Sequence, residues 1–201
     1  MSEEKKLLAA IVYGESSSSN VENEMYAIAS VMVRQKNARG YADIQSFVKE
    51  DPSFSFVVND GNPRFKLLLG ASIGEIEKNP GMTMAYAAAE NALRNGIDKS
   101  NGAYFWDGAD IKTNYKKHYK VRHGIKFSNS SHNIYSIEES LHVVVRMKVT
   151  KIKVNGKVTE HREEVARADH TYESTAAYGG TIFWRISPEY IKAVAGAKEY
   201  R

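Results

Sequence analysis

The chain has no cysteine. That excludes disulfides, thiolate nucleophiles and cysteine-based zinc sites together. Long apolar runs are missing too. Nothing approaches the ~18 consecutive apolar residues that a membrane span needs. The N-terminus, MSEEKKLLAAIVYGES, also lacks the form of a secretory signal. Two glutamates precede the lysines, and the apolar stretch from Leu7 to Tyr13 is short and runs straight into polar residues. The expectation is therefore synthesis in the cytoplasm without a signal peptide. Charge of one sign is scarce: 28 lysines and arginines against 24 acids leave a net charge of only +4. This mild excess suits an anionic polymer, either nucleic acid or cell wall.

What is present belongs to an ordinary globular chain of 201 residues, 42% apolar and 26% charged, enough to bury a core. Leu7, Leu8, Ile11 and Val12 share one face of a helical period, which predicts a helix over 4–13 that Gly14 ends. It delivers Glu15 to the edge of a polar loop, with Asn20 expected to cap the next helix. That helix runs from about Met25 to Asn37–Gly40. A third is predicted over 42–50, stopped by Asp51-Pro52. FSFVVNDG (54–61) alternates briefly and reads as a strand ending in a turn. Helices are expected over 65–76 and 82–95.

After Gly102 the texture changes. GAYFWDGAD reads as a wall strand, and 114–124 is basic. The segments 142–149 and 151–154 read as β and end in Asn155-Gly156, a strong hairpin signal, with 158–165 returning. STAAYGGTIFW (174–184) reads as a buried closing strand, and the tail from Pro188 as a short helix. The whole predicts an α+β fold: a mostly helical first half and a β-hairpin insertion in the second, within one domain spanning 1–201. The insertion is placed at about 115–172.

Four pieces carry candidate chemistry. Glu15, in Tyr13-Gly14-Glu15-Ser16, sits at a helix C-terminus beside apolar residues. The helix dipole and desolvation both favour the protonated acid there, as a glycosidase general acid requires. Asn59 and Asp60 close the FSFVVNDG segment, either as turn formers or facing a groove. In Tyr104-Phe105-Trp106-Asp107, strand alternation puts Tyr104 and Trp106 on one side and Phe105 on the other. One side can fill the core while the other stacks on sugars. Gly179 to Arg185 reads mainly as core.

In this order the pieces resemble the cell-wall hydrolase family typified by the spore-cortex-lytic enzyme SleB. The matching features are YGE after an opening helix, AIASVMVR (27–34), Phe54-Ser55-Phe56 followed by Asn59-Asp60-Gly61, Gly102-Ala103-Tyr104-Phe105, and the aromatic strand at 179–184. The resemblance covers roughly 5–110 and 174–186. It implies a lysozyme-like or lytic-transglycosylase-like fold that cleaves the β-1,4 bond between N-acetylmuramic acid and N-acetylglucosamine in peptidoglycan glycan strands. Glu15 matches the catalytic glutamate, and no cofactor or metal is implied. Asp60, Asp107 and Glu24, in that order, are candidates for a second carboxylate, and the arrangement favours a single-glutamate mechanism. Tyr13, Ser16, Phe56, Asn59, Tyr104, Trp106 and Asp107 are the expected substrate-binding residues.

Two departures stand out. Thr181 occupies a position where the family usually has histidine, and 115–172 is longer than expected. The insertion suggests a substrate clamp or a contact with a carrier or an immunity protein. An antibacterial effector would act in the periplasm or wall after specialised export or lysis. Two other classes compete. A nucleic-acid-binding or protein-interaction module without catalysis would use Lys116, Lys117, Lys120 and Arg122 interleaved with Tyr115, His118 and Tyr119, although no nucleic-acid motif is present. A metal hydrolase would need ligand spacing, but His118 and His123 are five apart where one helical face needs four.

Overall fold

A computed structural model describes residues 2–201. Seven helices come first: α1 (Glu3–Glu15), α2 (Glu22–Arg39), α3 (Ile44–Glu50), α4 (Phe56–Asn59), α5 (Pro63–Gly70), α6 (Ile73–Lys78) and α7 (Pro80–Leu93). Strand β1 (Phe105–Asp107), the short helices α8 (Asp110–Thr113) and α9 (Tyr119–Arg122) and strand β2 (Ile125–Lys126) follow. The chain ends with β3 (Val144–Val154), β4 (Lys157–Ala168), β5 (Tyr172–Tyr178), β6 (Thr181–Ile186) and α10 (Pro188–Ala193). Helices and strands are segregated along the chain, so the class is α+β.

Local chemistry sets the helix starts. Ser2 caps α1 by accepting the Lys5 N–H, and Glu3 and Glu4 suit the positive end of its dipole. Asn62 and Asn79 cap α5 and α7, each with proline as the first helical residue, where the missing N–H costs nothing. Helix α2 is buried on most sides (Met25, Ile28, Ala29, Val31 and Met32 are all inaccessible) because α1, α3 and α7 surround it.

Several local expectations fail. Gly14 does not end α1; it lies inside the last turn. Asn20 does not cap α2, since it sits at φ +53° and Val21 takes the cap position without a side-chain bond. The FSFVVNDG segment is no strand: 56–59 form a helical turn, because Val57 is drawn into the helical core while Phe56 faces out. The helix expected over 65–76 breaks at Ala71, where Ser72 and Glu75 form a capping box that starts α6.

The main sheet has the order β1-β6-β5-β2, antiparallel except for β2 against β5. Strand β6 is buried on both faces. Phe183 joins the helical core, while Ile182, Trp184 and Ile186 join a second core with Ile111, Val121, Ile125 and Tyr172. A strand between two cores reads as an unbroken apolar run, which accounts for TIFW. Within 115–172, Tyr115, Val121, Ile125, Phe127, Tyr135 and Ile137 belong to this second core, and β2 belongs to the sheet. Strands β3 and β4 form a separate two-stranded sheet. No helix among the described residues is long and apolar enough to cross a membrane.

Candidate active site

Glu15 is the last residue of α1 and half-buried. Its neighbours on the chain are held from outside. Asn62 donates through Nδ2 to the Gly14 carbonyl at 2.8 Å, and Arg64 donates through Nη1 to the Ser16 carbonyl at 2.8 Å. The peptide carbonyls flanking Glu15 are thus clamped by one short segment. Arg64 also donates to Asn20 Oδ1 and lies over the Tyr13 ring, 4.1 Å from its centre. Gly14 permits this approach: a Cβ there would lie 3.0 Å from the Phe65 Cβ. Its role is close packing of α1 on α5.

The Glu15 carboxylate meets the Trp106 indole, whose Nε1–H donates to Oε2 at 3.4 Å. Burial pushes the Glu15 carboxyl up from the ordinary 4.5 to about 7; the indole donor pulls it down, and the nearby charge of Asp60 pushes it further up. The negative end of the α1 dipole acts in the same direction as burial.

Trp106 and Phe56 approach with ring centres 6.3 Å apart, and Phe54 lies 5.9 Å from Trp106. These rings form one wall of a cleft of about 610 Å³ that continues to Asp107, Tyr119, Lys120 and Tyr172. Glu15 does not line this cleft directly and is joined to it through Trp106.

Asp107 forms the centre of a second cluster. Its Oδ1 accepts from Lys120 Nζ at 2.8 Å and lies 3.4 Å from His118 Nε2, which is also 3.4 Å from Asp110 Oδ2. The two carboxylates hold the His118 imidazole in its charged form, raising it from 6.5 to about 9, with Asp107 the larger influence. Ligand atoms of Asp107, Asp110 and His118 lie within 4.8 Å of one another, the donor set a divalent cation would use. Lys120 and His118 place two cationic groups against Asp107.

The expected substrate residues divide. Phe56, Trp106 and Asp107 line the cleft, and Asn59 is exposed at the end of α4, as is Asp60, the first candidate for a second carboxylate. Three expectations are corrected. Tyr13 is buried under Arg64. Ser16 is buried, its Oγ donating to the Tyr13 carbonyl. Tyr104 lies beside Arg34 and lines other hollows; it sits in a bend before β1, so the strand alternation that would pair it with Trp106 does not reach it.

Glu24 is inaccessible and no second catalytic carboxylate. It accepts from the Ser17 N–H and Oγ–H, the Gly180 N–H and the Thr181 hydroxyl, tying the loop after Glu15 to the β5–β6 turn. Thr181 thus has a structural partner at the position where the resembling family carries histidine. Gly179 is required beside it, with φ +57° and a would-be Cβ 2.3 Å from Glu24 Oε2.

Asn62 and Arg64 were missed by sequence reasoning, while His118 and Lys120 were singled out there only for a nucleic-acid surface or a metal site and not as partners of Asp107. Asn62-Pro63 carried a usable signal, since asparagine before proline is a helix start. Comparisons with protein-family models, curated proteins and solved structures return no match.

Proposed function

We propose that the chain is a lysozyme-like glycosidase that cleaves the β-1,4 bond between N-acetylmuramic acid and N-acetylglucosamine in peptidoglycan, with Glu15 as general acid. The observation that carries this reading is the Glu15 carboxyl, poised at about 7 beside an aromatic-walled cleft. A general acid must hold its proton near the working pH and release it to the leaving oxygen. The ordered YGE, AIASVMVR and FSF motifs support the same reading, and with it a lysozyme-like fold.

Glu15 donates its proton to the glycosidic oxygen as the bond to the anomeric carbon breaks. The aromatic wall of Phe56 and Trp106 takes sugar faces. Asp60 is exposed and acts on Glu15 through its charge. Asp107 is engaged by Lys120 and His118 and is no free nucleophile. The reaction therefore proceeds with one glutamate. The cation that develops at the anomeric carbon is met either by the substrate's own 6-hydroxyl or by water, and in either case the attacking oxygen returns a proton to Glu15. Delivery to the wall by specialised export or lysis, as an antibacterial effector, completes the reading.

The test is digestion of purified peptidoglycan by the wild type and by Glu15→Gln, with soluble products read by mass spectrometry. Wild type should release disaccharide-peptides and Glu15→Gln should not. Anhydro ends, one water lighter than reducing ends, mark attack by the 6-hydroxyl. Equal activity of the two proteins would remove Glu15 from the mechanism.

A further inference from the structure

Beyond the cleft, the feature with the least support from its own fold is the β3–β4 arm. Its strands are 11 and 12 residues long, so it reaches about 36 Å at ~3.3 Å per residue. Asn155 at φ +50° and Gly156 at φ +81° close it in a tight turn. Only the base is anchored: Ala168 is buried, α10 packs mainly against β4, and Arg146 donates to the Lys192 carbonyl. From Val145 to Val165 both faces are open. A two-stranded ribbon with nothing on either face is marginal in water.

The arm is apolar where it need not be. Val149 is 47% exposed, Ile152 49%, Val154 57% and Val158 60%. It is also where the charge lies. Residues 144–168 hold seven lysines and arginines against three glutamates, a net +4 that equals that of the whole chain. The strands differ: β3 carries Arg146, Lys148, Lys151 and Lys153 with no acid, while all three glutamates are on β4. Two of them are already engaged, Glu160 by Lys151 and Arg162 and Glu164 by Arg167.

We propose that the free edge of β3 is a docking edge for an extended acidic segment of a protein partner, which adds to the ribbon as a third strand. The unpaired backbone of an edge strand supplies the hydrogen bonds, and alternate side chains supply selectivity. Branched side chains beside each lysine fit a partner strand that alternates acidic and apolar residues. An anionic glycan would gain nothing from the valines, and the arm offers no aromatic ring to a sugar. A second copy's β3 would bring four like charges against four. The inference is independent of the chemistry at Glu15.

The test uses the full chain and a fluorescein-labelled synthetic peptide as long as β3, alternating glutamate with valine or threonine. Binding is read by fluorescence anisotropy, with polyglutamate and polyphosphate as competitors and sedimentation of the chain alone. The peptide should bind, weaken with salt, and slow amide exchange along β3. The triple variant Lys148→Glu, Lys151→Glu, Lys153→Glu should weaken it more than about tenfold, while a lysine-for-glutamate peptide should bind the variant instead. The fold of the variant is checked by its thermal transition, which these solvent-exposed positions should leave nearly in place even with the Lys151–Glu160 surface pair lost. Absence of peptide binding overturns the proposal. So does equal competition by polyglutamate or polyphosphate, which would make the arm a general anion binder. A dimer that the triple variant dissociates would also overturn it, giving the edge to a second copy.

Discussion

Glu15 is governed by three influences whose signs can be separated. Burial raises its carboxyl, the Trp106 indole lowers it, and Asp60 raises it. Activity that needs the protonated acid should fall as pH rises through about 7. Trp106→Phe removes the lowering donor, so the alkaline limb should move up. Asp60→Asn removes a raising charge, so the limb should move down. A pH–rate profile on peptidoglycan checks both, and carbon NMR of the Glu15 carboxyl checks them without turnover. Asp60→Asn should also keep the rate within about tenfold, because losing a catalytic acid–base group costs at least about a hundredfold; a larger loss would make Asp60 the second carboxylate. The place of Glu15 at the end of the first helix was legible in the sequence, although the helix runs two residues past the expected stop at Tyr13. Tyr13 and Ser16 misled because adjacency in the chain is not adjacency in a cleft. The helix turns Tyr13 under Arg64, and its last carbonyls draw in the Ser16 hydroxyl.

Two elements hold the site, and each can be loosened separately. The α5 N-terminus clamps the Gly14 and Ser16 carbonyls through Asn62 and Arg64. Arg64→Ala should lower kcat with little change in KM and cost about 1–3 kcal/mol of stability. Arg64→Lys should not restore the rate, because one ammonium cannot bond Ser16 and Asn20 while lying flat on Tyr13. Steady-state kinetics with a thermal melt separates the two effects. Helices α8 and α9 are held to β1 by His118, whose charged form is favoured by Asp107 and Asp110 up to about 9. A raised histidine stabilises fully below its unfolded value near 6.5 and loses that contribution as pH climbs through about 9. Denaturant melts should show this decline in wild type, roughly 1–3 kcal/mol across the window, and His118→Gln should flatten it. A helix was expected from residue 65, but neither the Asn62–Arg64 clamp at its start nor the His118 cluster was read in advance. Asn62-Pro63 fell between the segments expected as strand and helix, and the clamp depends on what the Asn62 amide's other end meets, the Gly14 carbonyl. The histidine spacing was weighed along the chain, whereas Asp107 reaches His118 from β1 and Asp110 from α8. The strong local signals, Asn155-Gly156 and the apolar TIFW, were legible because turn chemistry and two-sided burial leave their mark within a few residues.

At the scale of the molecule, the chain divides its work between a body and an arm. The helical core, the second core and the cleft are all built from residues outside 144–168. The arm touches them only at its base. Exposed side chains contribute little to folding, and a ribbon open on both faces buries almost nothing. Excising 147–164 and closing the strands with an Asn-Gly turn should therefore shift the thermal midpoint by less than about 2 °C, since ~1 kcal/mol moves a chain of this size by only a few degrees. The shortened protein should cleave short soluble peptidoglycan fragments at the wild-type rate, because Glu15, Trp106 and the Phe56 wall remain. Differential scanning calorimetry and a fragment digest check the two halves. Retained fragment cleavage with weakened attack on whole walls would make the arm a clamp on the polymer. Loss of cleavage on fragments would place the arm inside the catalytic body, against the separation that its exposure implies.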